Sequence, residues 1–304
     1  MKAGLGRVPA GWFSATTKGV LAGLVVVVCW SGFNIVSRFG SSGVFTPFDL
    51  AAMRYGVSGL LCLPFFLRQV PVSAWPRYLM LSIFGGLGYG LLIYSGFSFA
   101  PSAHAGVFVN GGIPFWTVLL LAALTRFHLP RTTAFALLLS AGGLLLIAYD
   151  SLFATRVPGA WIGDALFLAA ALSWAIFGLL MRRWKIKPLF GISGVASFSL
   201  VLYGPVYLLW LPTKLAHAAW PDIALQCVYQ GAVAAVLAAG LYSYANEKVG
   251  ACQASMMLAL VPALSAVGAY FILGEALNGT VVAGIGMVSL GALLGAIPSQ
   301  QARK

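Results

Sequence analysis

The side chains able to do chemistry in this chain are few and scattered. Of 304 residues only 6 are acidic and 3 are histidine. They fall in separate segments, with no histidine–carboxylate cluster in sequence and no H-E-x-x-H, Walker loop or G-x-S-x-G. The four cysteines, Cys29, Cys62, Cys227 and Cys252, lie in apolar runs without C-x-x-C spacing and read as small packed residues. Gly85-Gly86-Leu87-Gly88-Tyr89-Gly90 is glycine-rich, but no strand precedes it and no phosphate-binding lysine follows. It reads as a tract that lets helices approach closely. What remains is a set of rings, amides and hydroxyls in apolar surroundings: Trp30, Phe33, Asn34, Tyr89, Asn110, Trp174, Phe177, Tyr242 and Gln253. Groups of this kind hold a small solute without breaking its bonds. Neither an enzyme nor a metal or other cofactor is expected.

The elements that must position these groups are membrane helices. Apolar residues make up 61% of the chain and charged residues 8%, far from the balance of a soluble domain. A spanning helix needs about 20 mainly apolar residues. Ten such runs are present, near 19–37, 46–67, 77–99, 103–125, 132–149, 161–181, 189–211, 222–245, 251–273 and 279–297. The net charge of +12 does not indicate nucleic acid, because the basic residues sit at helix ends in short loops. With a cytoplasmic N-terminus and alternating loops, all of the 18 basic residues but Arg38, Arg54, Arg156 and Lys214 fall on the cytoplasmic side. Both termini are therefore expected in the cytoplasm of a bacterial cell, with the chain in its inner membrane. The expected divisions are a leader over 1–18 carrying Trp12 and Phe13, a first unit over 19–149, an external linker over 150–160, a second unit over 161–297 and a tail over 298–304.

The two units are copies. Trp30 to Arg38 is echoed by Trp174 to Arg182, and Pro47 with Pro64 by Pro188 with Pro205. Tyr94-Ser95, Pro114 and Gly143 answer to Tyr242-Ser243, Pro262 and Gly291, all at one offset. An ordered series of this length marks an internal duplication. Five is odd, so a second five-helix unit starts from the opposite face, and the repeats are inverted. The expected fold is an all-α membrane protein of ten transmembrane helices in two inverted five-helix repeats.

Trp30 through Arg38, followed by Pro47 and by Arg54 seven residues later, resemble the opening of EamA-type members of the drug/metabolite transporter superfamily. The resemblance covers nearly the whole chain. It implies a ten-helix transporter of small organic solutes, with exporters of amino acids as the nearest match. The family's Pro…Gly-Glu pattern appears as Pro262 with Gly274-Glu275, whereas Arg126-Phe127 hold the equivalent places after Pro114. Glu275 therefore has no symmetric counterpart.

The expected cavity uses the first, third, fourth, sixth, eighth and ninth helices. Trp30 and Trp174, with Phe33 and Phe177, offer apolar platforms, and Asn34, Tyr89, Asn110, Tyr242 and Gln253 offer polar contacts. Pro114 and Pro262 each remove an amide partner, from the carbonyls of Asn110 and Leu258, and are expected to act as matched hinges. Arg54 must face the bundle interior or snorkel to the outer interface. His104, Asp164, Asp49 and Glu275 are expected at outer helix ends. With no full charge evident at the midplane, neutral amino acids with large apolar or aromatic side chains should be favoured. The alternatives are a broader drug or metabolite exporter and a membrane enzyme acting on lipid-like substrates. The expected partners are the small solute and membrane lipid, with no nucleic acid, and the protein is expected to work as a monomer.

Overall fold

The computed structural model describes residues 15–124, 130–154 and 157–296. Trp12, Phe13, Arg126, Phe127, Arg156 and the tail over 298–304 lie outside these residues, as does the side chain of Cys252. The described residues form ten helical passes. They are α1 Ala15–Ser42, α2 Pro47–Gln69, α3 Val72–Phe97, α4 Ser102–Leu124 and α5 Arg131–Tyr149, with a further wide turn Asp150–Ala154. The second set is α6 Ala160–Arg183, α7 Pro188–Trp210, α8 Trp220–Val249, α9 in two pieces Ala251–Leu258 and Val261–Leu273, and α10 Gly279–Ala296. Nine passes are long and apolar enough to cross a membrane, and the tenth, Gly279–Gly295, is a shorter apolar helix. Much of the surface is large and apolar, as lipid contact requires; Trp210 and Trp220, 72% and 80% exposed, end one helix and begin the next at the same face. Helical structure starts at Ala15, inside the expected leader, and continues to Ala154, inside the expected linker.

The packing reproduces the duplication. α1 packs on α8 and α9, and α6 packs on α3 and α4. α2 packs on α7, α4 on α9 and α5 on α10, each a pair of equivalent helices from the two halves. Exchanging every helix with its counterpart leaves this pattern unchanged, as a pseudo-two-fold axis between inverted halves requires. The α5–α10 pair shows why the apolar, glycine-rich helices cannot take larger residues. A Cβ at Gly143 would lie 2.7 Å from the Gly284 carbonyl, and one at Gly291 would lie 2.2 Å from the Ser140 hydroxyl.

One matched feature has no obvious sequence signature. α3 widens to a π-helix over Ser82–Gly88, and its counterpart α8 does so over Cys227–Leu237. Widening changes which carbonyls are bonded within the helix, and side chains from neighbouring helices take some of them up. Tyr55 donates to the Gly86 carbonyl at 2.8 Å, Ser173 to that of Phe84 at 2.8 Å, and the Trp30 indole to that of Ala234 at 3.3 Å. The glycines of α3 make this approach possible: Gly85 faces the Phe177 ring, Gly86 the Ser199 hydroxyl and Gly88 the Ser173 hydroxyl. Such turns recur at functional sites in helices.

Candidate substrate-binding site

The helices bring Arg54 into the bundle, which resolves the two sequence alternatives in favour of the interior. At ~1.5 Å per residue, seven residues place it about 10 Å below the start of α2. Its guanidinium carbon lies 5.3 Å from the centre of the Phe33 ring, with Tyr55, Tyr89 and Tyr94 around it. Phe33 in turn meets Tyr94 and Phe97, with ring centres 6.1 and 6.3 Å apart. Behind these rings runs a buried amide chain. Tyr94 donates to Gln230 Oε1 at 3.0 Å; Gln230 Nε2 donates to Ser37 Oγ and to Gln226 Oε1, each at 3.0 Å; Gln226 Nε2 donates to the Val36 carbonyl at 2.9 Å. The chain ties α1, α3 and the wide turn of α8 into one unit. The sequence-based expectation that the lining carries no full charge does not hold around Arg54.

The expected site residues fall into several groups. Trp30 meets Tyr242, with ring centres 5.4 Å apart, and the Tyr242 hydroxyl lies 3.3 Å from Ser255 Oγ. Trp174 meets Tyr89 at 4.7 Å and Phe177 at 4.9 Å. Tyr89 thus links this group to Arg54. Phe33 belongs to the main core, whereas Phe177 belongs to a smaller one with Phe66, Tyr78 and Leu81, so the four aromatic residues do not form a single cluster. Asn34 is buried and donates to Ser265 Oγ at 2.9 Å across the repeats. Asn110 turns back to the Gly106 carbonyl of its own helix at 2.7 Å. Gln253 is exposed near the start of α9. An apolar cavity of about 160 Å³, lined in part by Leu61, Phe65, Ile192 and Val236, opens between α2, α7 and α8, away from the expected lining.

The two prolines are not alike in surroundings. Pro114 is exposed and sits within the unbroken helix α4. Pro262 is buried and opens the second piece of α9, just after a break at Ala259 and Leu260, whose amides bond back only three residues, to Met256 and Met257. A Cβ at Gly106 of α4 would lie 3.0 Å from Pro262 Cα, so the crossing of these two equivalent helices occurs at the break.

Four carboxylates join the halves at one face, the one holding the α1–α2 and α9–α10 turns. Asp49 caps α2 through Thr46 and accepts from the Tyr207 hydroxyl at 2.6 Å and the Lys214 amide at 3.2 Å. Asp150 accepts from Asn278 at 2.9 Å. Asp164 accepts from Ser151 Oγ at 2.5 Å and lies 2.8 Å from His104 Nδ1. Glu275 accepts from Arg38 Nε at 3.2 Å, from the Ser102 amide at 3.2 and 3.0 Å, and from its hydroxyl at 2.9 Å. Each link runs from one repeat to the other. At the opposite face the described acid, Glu247, pairs only with its neighbour Lys248.

His104, as a solvated or capping residue, and Asp164, as an acid at a helix start, were expected at outer helix ends, with no histidine–carboxylate cluster in sequence. Folding brings them together, 60 residues apart in sequence, and buries both. Ser151 Oγ donates to Asp164 and also lies 3.5 Å from His104 Nδ1, so serine and aspartate meet the same ring nitrogen, which is not the arrangement of a nucleophilic triad. Among the described residues no group of three or more potential ligands is placed to hold a metal.

A family profile described as the EamA-like transporter family matches residues 17–149 and again residues 161–296, one match per repeat. The chain belongs to this family and is a multi-pass membrane transporter of the drug/metabolite type. Sixteen chains among solved structures match. One, described as "Crystal structure of protein", is 21% identical, covers 91% of this chain and 95% of its own, and superposes with a TM-score of 0.61. That similarity shows the fold. No curated protein matches.

Proposed function

We propose that this transporter exports neutral amino acids with large apolar or aromatic side chains from the bacterial cytoplasm by alternating access. The observation that carries the reading is reciprocal. The matched tryptophan in the first helix of each repeat meets a tyrosine on the third helix of the other: Trp30 with Tyr242, and Trp174 with Tyr89. Any movement of one half against the other must part these rings, and an aromatic solute can take their place. Each favourable ring pair contributes about 0.5–1.5 kcal/mol beyond buried area. Trp30→Ala and Trp174→Ala in liposomes should therefore lower uptake of labelled Phe and Met by up to about tenfold, one ring pair's worth of affinity. Uptake of Thr should change little. Equal loss for all solutes, or preferred transport of Lys, would sink the reading.

In this proposal the face closed by the four carboxylates is external, residues 1–18 and 298–304 are cytoplasmic, and one chain suffices. The positions of the basic residues support this orientation. Exposed Arg183 and Lys214 lie at opposite faces. An impermeant thiol reagent applied to intact cells should label Lys214→Cys and spare Arg183→Cys; the reverse result would invert the topology.

A further inference from the structure

The charge at Arg54 has no counter-ion among the described residues. All six acidic side chains are accounted for elsewhere. Asp49, Asp150, Asp164 and Glu275 hold the cross-repeat links, Glu247 pairs with Lys248, and Asp222 stands in the first turn of α8. A guanidinium carries five N–H donors and no acceptor. The Phe33 face and the Tyr94 hydroxyl are its close neighbours, and Tyr94 already donates its own proton to Gln230. No carboxylate and no backbone carbonyl accepts from Arg54 in an ordinary hydrogen bond among the described residues. The side chain nevertheless keeps accessible surface, as do Tyr89 and Trp174 nearby. An arginine inside a membrane bundle ordinarily pairs with an acid or with carbonyls, because an uncompensated charge there is costly. Arg38 of the same protein shows the usual solution, with Glu275 and the Phe97 carbonyl as partners.

We infer that Arg54 is the anchor for a carboxylate on the transported solute, with Phe33, Tyr89 and Tyr94 forming the walls beside it. The planar fork of the guanidinium matches a carboxylate with two parallel hydrogen bonds. The rings around it accept an apolar or aromatic body attached to that carboxylate. Tyr94 is held by Gln230, and Gln230 by Ser37 and Gln226, so the wall at Tyr94 is fixed before the solute arrives. Tyr89 reaches Trp174, which connects the anchor to one of the reciprocal ring pairs. The solute's charge then completes a pair that the protein leaves open. This inference rests on the transport reading above and adds which end of the solute is recognised. The chemistry is shared by amino acids and by simple aromatic monocarboxylates, and the test separates them.

The test compares wild type, Arg54→Gln and Arg54→Lys in proteoliposomes, with binding measured in parallel by thermal unfolding of the detergent-purified proteins. The probes are phenylalanine, phenylalaninamide, 3-phenylpropionate and 3-phenylpropanol. In wild type, phenylalanine and 3-phenylpropionate should raise the unfolding temperature, and the amide and the alcohol should not. Arg54→Gln should abolish both shifts and raise the KM for phenylalanine by at least about tenfold, the loss of one strong contact. Arg54→Lys should recover part of the binding, since it restores the charge without the fork. Without solute, Arg54→Gln should unfold no earlier than wild type, because it removes an unpaired cation; a structural arginine would give earlier unfolding. Phenylalanine handled alike by wild type and Arg54→Gln would overturn the anchor and leave the amino-acid reading standing. An Arg54-dependent shift with 3-phenylpropionate and none with phenylalanine would keep the anchor and remove the amino-acid reading. Equal shifts for the acids and their analogues without a carboxylate, or no shift with any probe, would overturn the anchor.

Discussion

Glu275→Ala is expected to open the carboxylate-linked face and to cut transport more than Glu275→Gln does. Glu275 gathers contacts from three elements. It faces Arg38 of α1, it accepts from both the amide and the hydroxyl of Ser102 at the start of α4, and it follows the end of α9. Its position depends on Gly274, whose φ of 67° is left-handed and turns the chain so that the Glu275 amide reaches back to the Ala269 carbonyl. The carboxylate therefore does what a capping side chain does at a helix start, but from another helix in the other repeat. Truncation leaves the half-buried Arg38 with the Phe97 carbonyl alone, and breaking such a pair costs about 3–5 kcal/mol. This falls on the closed conformation, since opening the face separates the partners in any case. A bias of about 3 kcal/mol shifts a two-state population more than 100-fold. Ser37, buried one residue before Arg38, is a suitable reporter. Ser37→Cys should react with an impermeant thiol reagent many times faster when combined with Glu275→Ala. An unchanged rate would show that the link does not hold the face closed. Glu275→Gln keeps an acceptor oxygen for Ser102 and should keep substantial transport at neutral pH, as befits a structural group rather than an obligatory proton carrier.

The architecture was legible in the sequence because each of its signals is local or repeated. Ten apolar runs, the Trp-to-Arg echo and the offset prolines need no knowledge of which helix touches which. The helix-end roles of Asp49 and Glu275 were legible too, since an acid beside a proline or a Gly turn has few other uses. What was not legible depends on pairing. His104 and Asp164 look like separate polar residues until α4 and α6 pack together. Gln226 and Gln230 stand four apart in an apolar run, a spacing that announces a polar face but not that Tyr94 and Ser37 will satisfy it. The wide turns of α3 and α8 were out of reach for a different reason. They arise where side chains of other helices compete for backbone carbonyls, as Tyr55 does at Gly86, and the glycines of the α3 turn record that a neighbour comes close but not that it takes up a carbonyl. Arg54 lay between these cases: its place in an apolar run marked it, and only the position of all six acids shows it to be unpaired.

The prolines yield the second large effect, and the structure makes it unequal. Pro262→Ala is expected to lower transport at least about tenfold, a rise of about 1.4 kcal/mol in the barrier for the conformational step. Pro114→Ala should stay within about twofold, well under 1 kcal/mol. Both prolines lack the amide that the carbonyl four residues earlier would use. Around Pro114 the helix Ser102–Leu124 nevertheless runs unbroken, and the residue is exposed at the helix surface. Around Pro262 the helix is parted into Ala251–Leu258 and Val261–Leu273, and the break is pressed against Gly106 at the crossing of α4 and α9. Equivalent helices meet there, next to the pseudo-two-fold axis, so a bend changes how the halves face each other with little displacement of the crossing. An alanine at 262 can donate to the Leu258 carbonyl across the break, which a proline in the first turn of the second piece cannot do. The repaired helix resists bending, and one conformation is favoured over the exchange between two. Folding should not suffer, so the protein should purify normally and unfold no earlier than wild type. Transport in liposomes, measured at matched protein content for both variants, decides the matter. Wild-type rates for Pro262→Ala would remove the hinge; equal losses for the two variants would instead restore the symmetric pair of hinges that the repeat offset implies.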